Sequence, residues 1–516
     1  MRHRWMHRIG GLLLAGTLLL GLSACGDNGP GKESGGDAAE EQLARGYFDF
    51  TRLSGRTTGS ASVGKEGAVF DSSARTPSLT LGDISADITG KNQLKLLLKN
   101  TSDLDTLTFT FLTASDTQPG GGKTVAIPLT KTEDFQEVLV DMSEVYGFLF
   151  TLTEIGLETA APASGELVIR SLEVCKGESS FPLSLAPPEP YLTFQQRSAK
   201  GIAHYPDGLL GFWKNPEGKL LFVGSLMGKL VLSEGTPEDP FATVIYNDRR
   251  VQNVDYAKYP YASIAQVIRV PDSDILVSPT HLEYQFGNAV FNGVLGLSVS
   301  TDQGQTWSLL GEIISHDLDY QTNWGYSHDI GNGEMYIDDE FVYIYAIDHG
   351  ENQSGLSVSR CPTSEFYTAI KENRVPEFHK KFNGEWTEPG MGGRFDPIQP
   401  AGVGANFAQV VYSTKLDQYL LFMTTQFPGA AEAAIGVYIS DDPTDFTQSK
   451  GYAVSPSMNG QQYPTVVDAA TGSQFEVGDT FYLYYGQLGL PWKEIQGDWL
   501  LFWGSNVYTR QTISIP

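Results

Sequence analysis

The sequence predicts an all-β chain in which a β-sandwich is followed by a five-bladed β-propeller. Two observations carry this expectation. Short stretches with period-two alternation recur between turn signals, in a composition of 56 Gly, 24 Tyr and 27 Phe that suits turn-rich strands. From about Ser198 onward, one strand–turn–strand unit then repeats to the end of the chain. At 516 residues the chain is too long for one ordinary core.

The repeat is read from its turns. "NPEGK", "PDSD", "DDE", "TKLDQ" and "EVGD" centre near positions 216, 272, 339, 416 and 478. Each is followed by a very apolar or aromatic strand: "LLFVGS", "ILVSP", "FVYIYAI", "YLLFMTT" and "TFYLYYG". Small-residue third strands follow in turn, such as "VLGLSVSTD" and "IGVYISDDP". Five such antiparallel units close into a five-bladed ring over residues 198–516.

The sandwich is expected over 46–176. Asn92 to Asn100, Thr106 to Ala114 and Gly165 to Val174 alternate at period two, and "TQPGGGKT" provides a Gly-rich turn. Phe109, Phe111, Phe148 and Phe150 read as core. The late "GELVIRSLEV" run resembles that of the jelly-roll accessory domains beside polysaccharide-degrading enzymes. The segment has no Trp for stacking sugar rings, which suits a spacer. "SSFPLSLAPPEP", within the expected linker 177–197, is Pro-rich and reads as unsuited to regular structure.

The N-terminus reads as a targeting segment over 1–24. Arg2, Arg4 and Arg8 precede an apolar run from Ile9 to Leu22, shorter than a spanning helix needs. Leu22-Ser23-Ala24-Cys25 then matches the bacterial lipoprotein cleavage box, so Cys25 is expected to carry the lipid and provide the chain's contact with the membrane. No Asp follows Cys25 directly, which points to the outer membrane or cell surface of the envelope. Residues 25–45 are Gly-rich and charged and read as a flexible tether. The formal charge of −26 excludes nucleic acid and anionic head groups as favourable partners. Cys175 and Cys361 are far apart, so no disulfide framework is expected, and no CxxC or His-rich cluster suggests zinc.

"STDQGQTW" (Ser300 to Trp307) fits S-x-D-x-G-x-T-W, the Asp-box associated with sialidases and other propellers. Asp302 can cap backbone N–H groups, Gly304 can supply a positive φ and Trp307 can pack between sheets. The stretch is therefore expected to be a folding device on the rim. A sialidase would need three converging Arg; Arg249, Arg250, Arg269, Arg360 and Arg394 exist, but no Arg-Ile-Pro signature precedes the first blade.

Chemistry is expected where strands begin around the central funnel. Polar clusters stand there: "AHYPDG" with His204 and Asp207, "THLEYQ" with His281 and Glu283, "WGYSHDIGNGE" with Trp324, Tyr326, His328 and Asp329, "IDHGEN" with His349, and "GQQYPTVVD" with Gln462 and Tyr463. Flat aromatic faces beside carboxylates are what a sugar site requires.

With those clusters in view, the propeller resembles five-bladed glycoside hydrolases of the family 43 arabinanase and arabinofuranosidase type. "SHDIGNGEMYIDDEFVYIYA" is similar to secreted propellers grouped with endo-D-arabinanases. The resemblance implies paired carboxylates, with Asp207 at the base position, Asp329 as a second inner-rim acid and Glu283 as the acid. Glu334 and Asp348 compete for these roles. His204, Trp324, Tyr326, His328, His349, Gln462 and Tyr463 are the implied substrate contacts, and a polysaccharide, an arabinan first, is the implied partner. No cofactor is required; some related propellers hold Ca²⁺ or a His-bound ion centrally, where His328 could serve. A non-catalytic propeller that binds glycan or protein at the surface stays open as the alternative.

Overall fold

The computed structural model describes residues 37–116, 123–179, 181–202, 207–287, 290–351, 353–427, 430, 433–456, 462–487 and 505–516. Asp37–Ala44 forms a short helix inside the expected tether, where Ala, Glu, Gln and Leu are good helix formers.

Residues 47–175 fold as two antiparallel sheets. In one, strands Gln136–Asp141, Gln93–Asn100, Leu167–Cys175 and Gly67–Phe70 lie side by side in that order. In the other the order is Ser78–Leu81, Thr151–Glu158, Thr106–Thr113 and Thr124–Pro128. The chain crosses repeatedly between the sheets in the jelly-roll order. Alternation dictates the core: Leu94, Leu96 and Leu98 from one sheet meet Leu107, Phe109 and Phe111 from the other. Each such side chain removed from water contributes about 1.5–3 kcal/mol. Phe148 joins this core, but Phe150, at φ +63°, packs against the core between blades 4 and 5. Cys175 and Cys361 are free thiols.

Five antiparallel sheets follow as blades. Blade 1 runs from Gly211–Lys214 to Thr243–Arg249, blade 2 from Tyr261–Ile264 to Ser308–Ile314, and blade 3 from Ile330–Ile337 to Glu385–Pro389. Blade 4 runs from Gly404–Ser413 to Tyr452–Ala453. Blade 5 starts at Gln462–Asp468 and continues through Thr480–Gln487 to Val507–Ser514. A separate apolar core fills each gap between neighbouring blades, including the gap between blade 5 and blade 1, so the ring is closed.

The closing strand corrects one sequence expectation. The Pro-rich stretch is not irregular: Ser184–Leu185 and Glu189–Leu192 pair antiparallel with Val507–Ser514 and complete blade 5. They form its outer edge, where Pro190 can lack an N–H without breaking a ladder. The ends of the propeller chain are thereby fastened together.

At the axis the seams share one device. Residues 209, 266, 334, 409 and 465 occupy equivalent places near the start of each blade. Gln266 accepts from Met335 N at 2.7 Å, Glu334 from Val410 N at 3.1 Å, Gln409 from Val466 N, and Thr465 from Leu210 N at 3.2 Å. Each side chain thus receives the backbone N–H of the next blade. Blade 1 carries Leu209 and cannot do so. Gln474 spans that seam instead, exchanging bonds with Phe212 N and O and donating to Val267 O. All of these groups are buried.

The Ser300–Trp307 stretch turns the chain at the end of blade 2's third strand, as expected. Asp302 accepts from Thr306 N at 2.8 Å and from the Ser300 and Thr306 hydroxyls, and Gly304 has φ +79°. Trp307 is buried edge-on against Trp213 of blade 1.

Two outcomes follow from the axial ring. Gln474→Leu leaves buried backbone groups of two blades without partners, so it should lower stability by roughly 2–5 kcal/mol, read by urea denaturation. Glu334 is the one carboxyl in the ring, and burial holds its proton well above the ordinary carboxylate range. The unfolded chain releases that proton at lower pH than the folded chain, so its contribution falls as pH rises above the unfolded value. Glu334→Gln keeps the acceptor, and its stability advantage over the parent should grow from pH 5 to pH 9.

Candidate active site

The site lies on the face where the second and third strands of each blade are joined and the first strands begin. Three blades deliver one carboxylate each. Asp207 precedes blade 1, Glu283 lies late in blade 2's second strand, and Asp329 directly precedes blade 3. The structure brings these three sequence-predicted acids together around His281.

His281 sits two residues before Glu283 and therefore on the same face of the strand. Its Nε2 donates to Asp329 Oδ1 at 3.1 Å. Burial opposes a charge on this imidazole, but Asp329, then Glu283 and Asp207, override it and push its pKa up to about 9. The ring is thus a cation shared by three acids. Burial raises the Glu283 carboxyl, and His281 offsets part of that rise; Gln285 donates to its Oε2 at 2.9 Å. Space for Asp329 is made by glycines. A Cβ at Gly293 would lie 2.1 Å from its Oδ1, and one at Gly331 2.6 Å from its Oδ2. This gives the "DIGNG" run a steric reason.

Asp207 is nearly buried, and its two oxygens are each taken by a phenol. Tyr261 OH donates to Oδ2 at 2.7 Å and Tyr463 OH to Oδ1 at 3.0 Å. Burial raises this carboxyl, and the two hydroxyls lower it. Tyr463, expected as a substrate contact, therefore bonds an acid of the site. Tyr261 was not singled out by sequence reasoning; it pairs in register with Glu283 across blade 2.

An aromatic wall stands beside Asp329. Trp324 and Tyr326 are 40% and 63% exposed, unlike the aromatics of the cores, and Trp324 Nε1 is anchored on Asp319 O. Tyr326 lies 4.5 Å from the His328 ring, centre to centre. His328 itself is buried, donating from Nδ1 to His349 O, and so supports the wall from beneath. His349 is half-buried, and its backbone N–H bonds Asp329 O. His204 and the Gln462 side chain lie outside the described residues, as does Cys25.

Two competing acids are structural. Asp348 is fully buried and paired with Lys380 Nζ at 2.6 Å; Lys380 also donates to Ser315 O and Gly393 O. Burial raises Asp348 and Lys380 offsets part of it, leaving its pKa at about 6. Glu334 belongs to the axial ring. The five Arg considered for a sialidase do not converge. Arg249 bonds Gln305 O, Arg250 lies over Tyr256, Arg269 reaches Gln303, Arg360 lies between Phe341 and Trp386, and Arg394 pairs with Glu388.

For a central cation the residues near His328 are a poor fit. Among the described residues, no group of three or more His, Cys, Asp or Glu comes together as a ligand set. The neighbouring His316 accepts Leu318 N–H on Nδ1, so its buried Nε2 carries the proton and cannot ligate. Ca²⁺ requires several oxygen ligands, which these imidazoles do not supply.

No family model and no curated protein sequence matches the chain. Solved structures do. A putative exo-β-1,3-galactanase from Bifidobacterium bifidum s17 is 14% identical, covering 60% of this chain and 87% of its own, with a TM-score of 0.37. The Penicillium chrysogenum α-L-arabinanase complexed with arabinobiose is 12% identical, covering 64% and 96%, at 0.34. A Dyadobacter fermentans protein of unknown function is 9% identical, covering 91% and 98%, at 0.35.

Proposed function

We propose that this protein hydrolyses a glycosidic bond of an extracellular polysaccharide, tethered to the outer cell envelope through a lipid on Cys25. The observation that carries the reading is the meeting of Asp207, Glu283 and Asp329 from three blades at one face, beside exposed Trp324 and Tyr326. Glycoside hydrolysis needs one carboxyl that gives a proton to the leaving oxygen and one that activates water or attacks the anomeric carbon. Glu283 suits the first task, because burial keeps its proton at higher pH. Asp207 suits the second, because its two hydrogen-bond donors favour the ionised form. Asp329 keeps His281 charged between them. Trp324 and Tyr326 offer flat faces to a sugar ring. With no Arg gathered there, an uncharged glycan fits better than an acidic one, and an arabinan is the first to test.

Purified protein should release reducing ends from at least one member of a panel of arabinans, galactans and xylans. Asp207→Asn, Glu283→Gln and Asp329→Asn should each lower that rate about 10²–10⁴-fold with the melting temperature nearly unchanged. An active Glu283→Gln would remove Glu283 as the proton donor. No hydrolysis across the panel, with binding retained, would favour the non-catalytic glycan binder. Activity should also fall as pH rises through about 9, where His281 loses its proton and no longer offsets the acids.

A further inference from the structure

We propose that Tyr261 and Tyr463 are positioning residues that hold the Asp207 carboxylate ionised and fixed in direction, one hydroxyl on each oxygen. The inference rests on the reading of Asp207 as the water-activating carboxylate of the site.

The geometry is specific. Among the described residues, these two phenols are the side-chain hydrogen-bond donors to Asp207, and no Lys or Arg pairs with it. The charged and titratable groups that face it are the phenols of Tyr261 and Tyr463, the imidazolium of His281 and the carboxyl of Glu283. His281 spends its Nε2 on Asp329, so its attraction for Asp207 acts without a direct bond. A nearly buried carboxylate with no cation in contact depends on its donors to stay ionised.

Both donors are themselves held. Tyr261 lies edge-on to the His281 ring at 5.9 Å and opposite Glu283 in the ladder. Tyr463 has a left-handed backbone, φ +56°, unusual for a bulky side chain, and its ring rests on Phe407 at 4.2 Å. Asp207 N bonds Ser225 O, which fixes the third side of the residue. Blades 1, 2 and 5 therefore meet on a single carboxylate. A protonated carboxyl would have to give up one of the two incoming hydroxyls, since its O–H oxygen becomes a donor. Removing either phenol hydroxyl makes protonation easier.

Tyr261→Phe and Tyr463→Phe keep each ring and delete only the hydroxyl. The direct measurement is an infrared titration of the Asp207 carboxyl in the full chain without substrate, with its band assigned by difference from Asp207→Asn. Each variant should move the midpoint up by about one pH unit, and the double variant further. On any glycan the parent hydrolyses, the acid limb of kcat should move the same way, with KM changed less than about twofold. A midpoint unmoved in both single variants and in the double variant overturns the proposal. Should one variant fail to fold, the other carries the same test. A midpoint that moves, in a protein that hydrolyses no glycan, supports the clamp and removes the hydrolase reading instead.

Discussion

The buried ring of hydrogen bonds at the axis is the constraint on which the rest of the molecule depends. Apolar packing fills the wedge between each pair of blades, but packing has no direction and would tolerate sliding. A side chain that accepts one particular N–H from the next blade does not. Gln266, Glu334, Gln409 and Thr465 each lock the height of the following blade, because a shift of one residue would leave a buried N–H without a partner. Leu209 breaks the series, and Gln474 mends it by bonding both blades of that seam at once. The blade 1–2 seam also has the closest backbone approach, where a Cβ at Gly211 would lie 2.3 Å from Ala265 O.

Locked heights are what allow chemistry on the open face. Asp207, Glu283 and Asp329 are held by three different blades, and their influence on His281 depends on separations of a few ångström. In a partly buried setting that coupling is strong, since water screens it little. The site consequently behaves as one electrostatic unit. Its net charge is spread over three acids and one imidazolium, with the other cations of the propeller engaged elsewhere. Lys380 illustrates the separation: it lies in the same blade as Asp329 but gives all three of its bonds to Asp348, Ser315 and Gly393 beneath the surface.

Much of this was legible in the sequence because burial in sheets is periodic and turns are chemically marked. The strands of both parts, the blade number and the rim role of Ser300–Trp307 could be read from alternation and from Asp and Gly at fixed offsets. The acids at the blade starts were legible too, since polar residues before an apolar strand have few structural uses. What failed had a common cause. The Pro-rich stretch before blade 1 reads as a breaker, yet an edge strand tolerates Pro, and its pairing partner lies more than three hundred residues away. Glu334 and Asp348 read as candidates for chemistry because a first or second strand buried on both sides gives alternation nothing to report. Tyr261 reads as one more core aromatic in "YASI"; only the juxtaposition of blades 1 and 2 aims its hydroxyl at Asp207.

That juxtaposition joins closure to chemistry. The seam between blades 5 and 1 is where the two ends of the propeller chain meet, fastened at the rim by Glu189–Leu192 and at the axis by Thr465 and Gln474. Asp207 follows directly on that seam and takes one bond from blade 5, through Tyr463, and one from blade 2, through Tyr261. A small opening of the ring would lengthen the Tyr463 bond well before the apolar wedges come apart, because a hydrogen bond weakens steeply with distance and angle while packing changes gradually. The carboxylate best placed to activate water is therefore also the group most sensitive to whether the ring is shut. In a fold with free chain ends at one seam, this ties the function of the face to the integrity of its weakest joint.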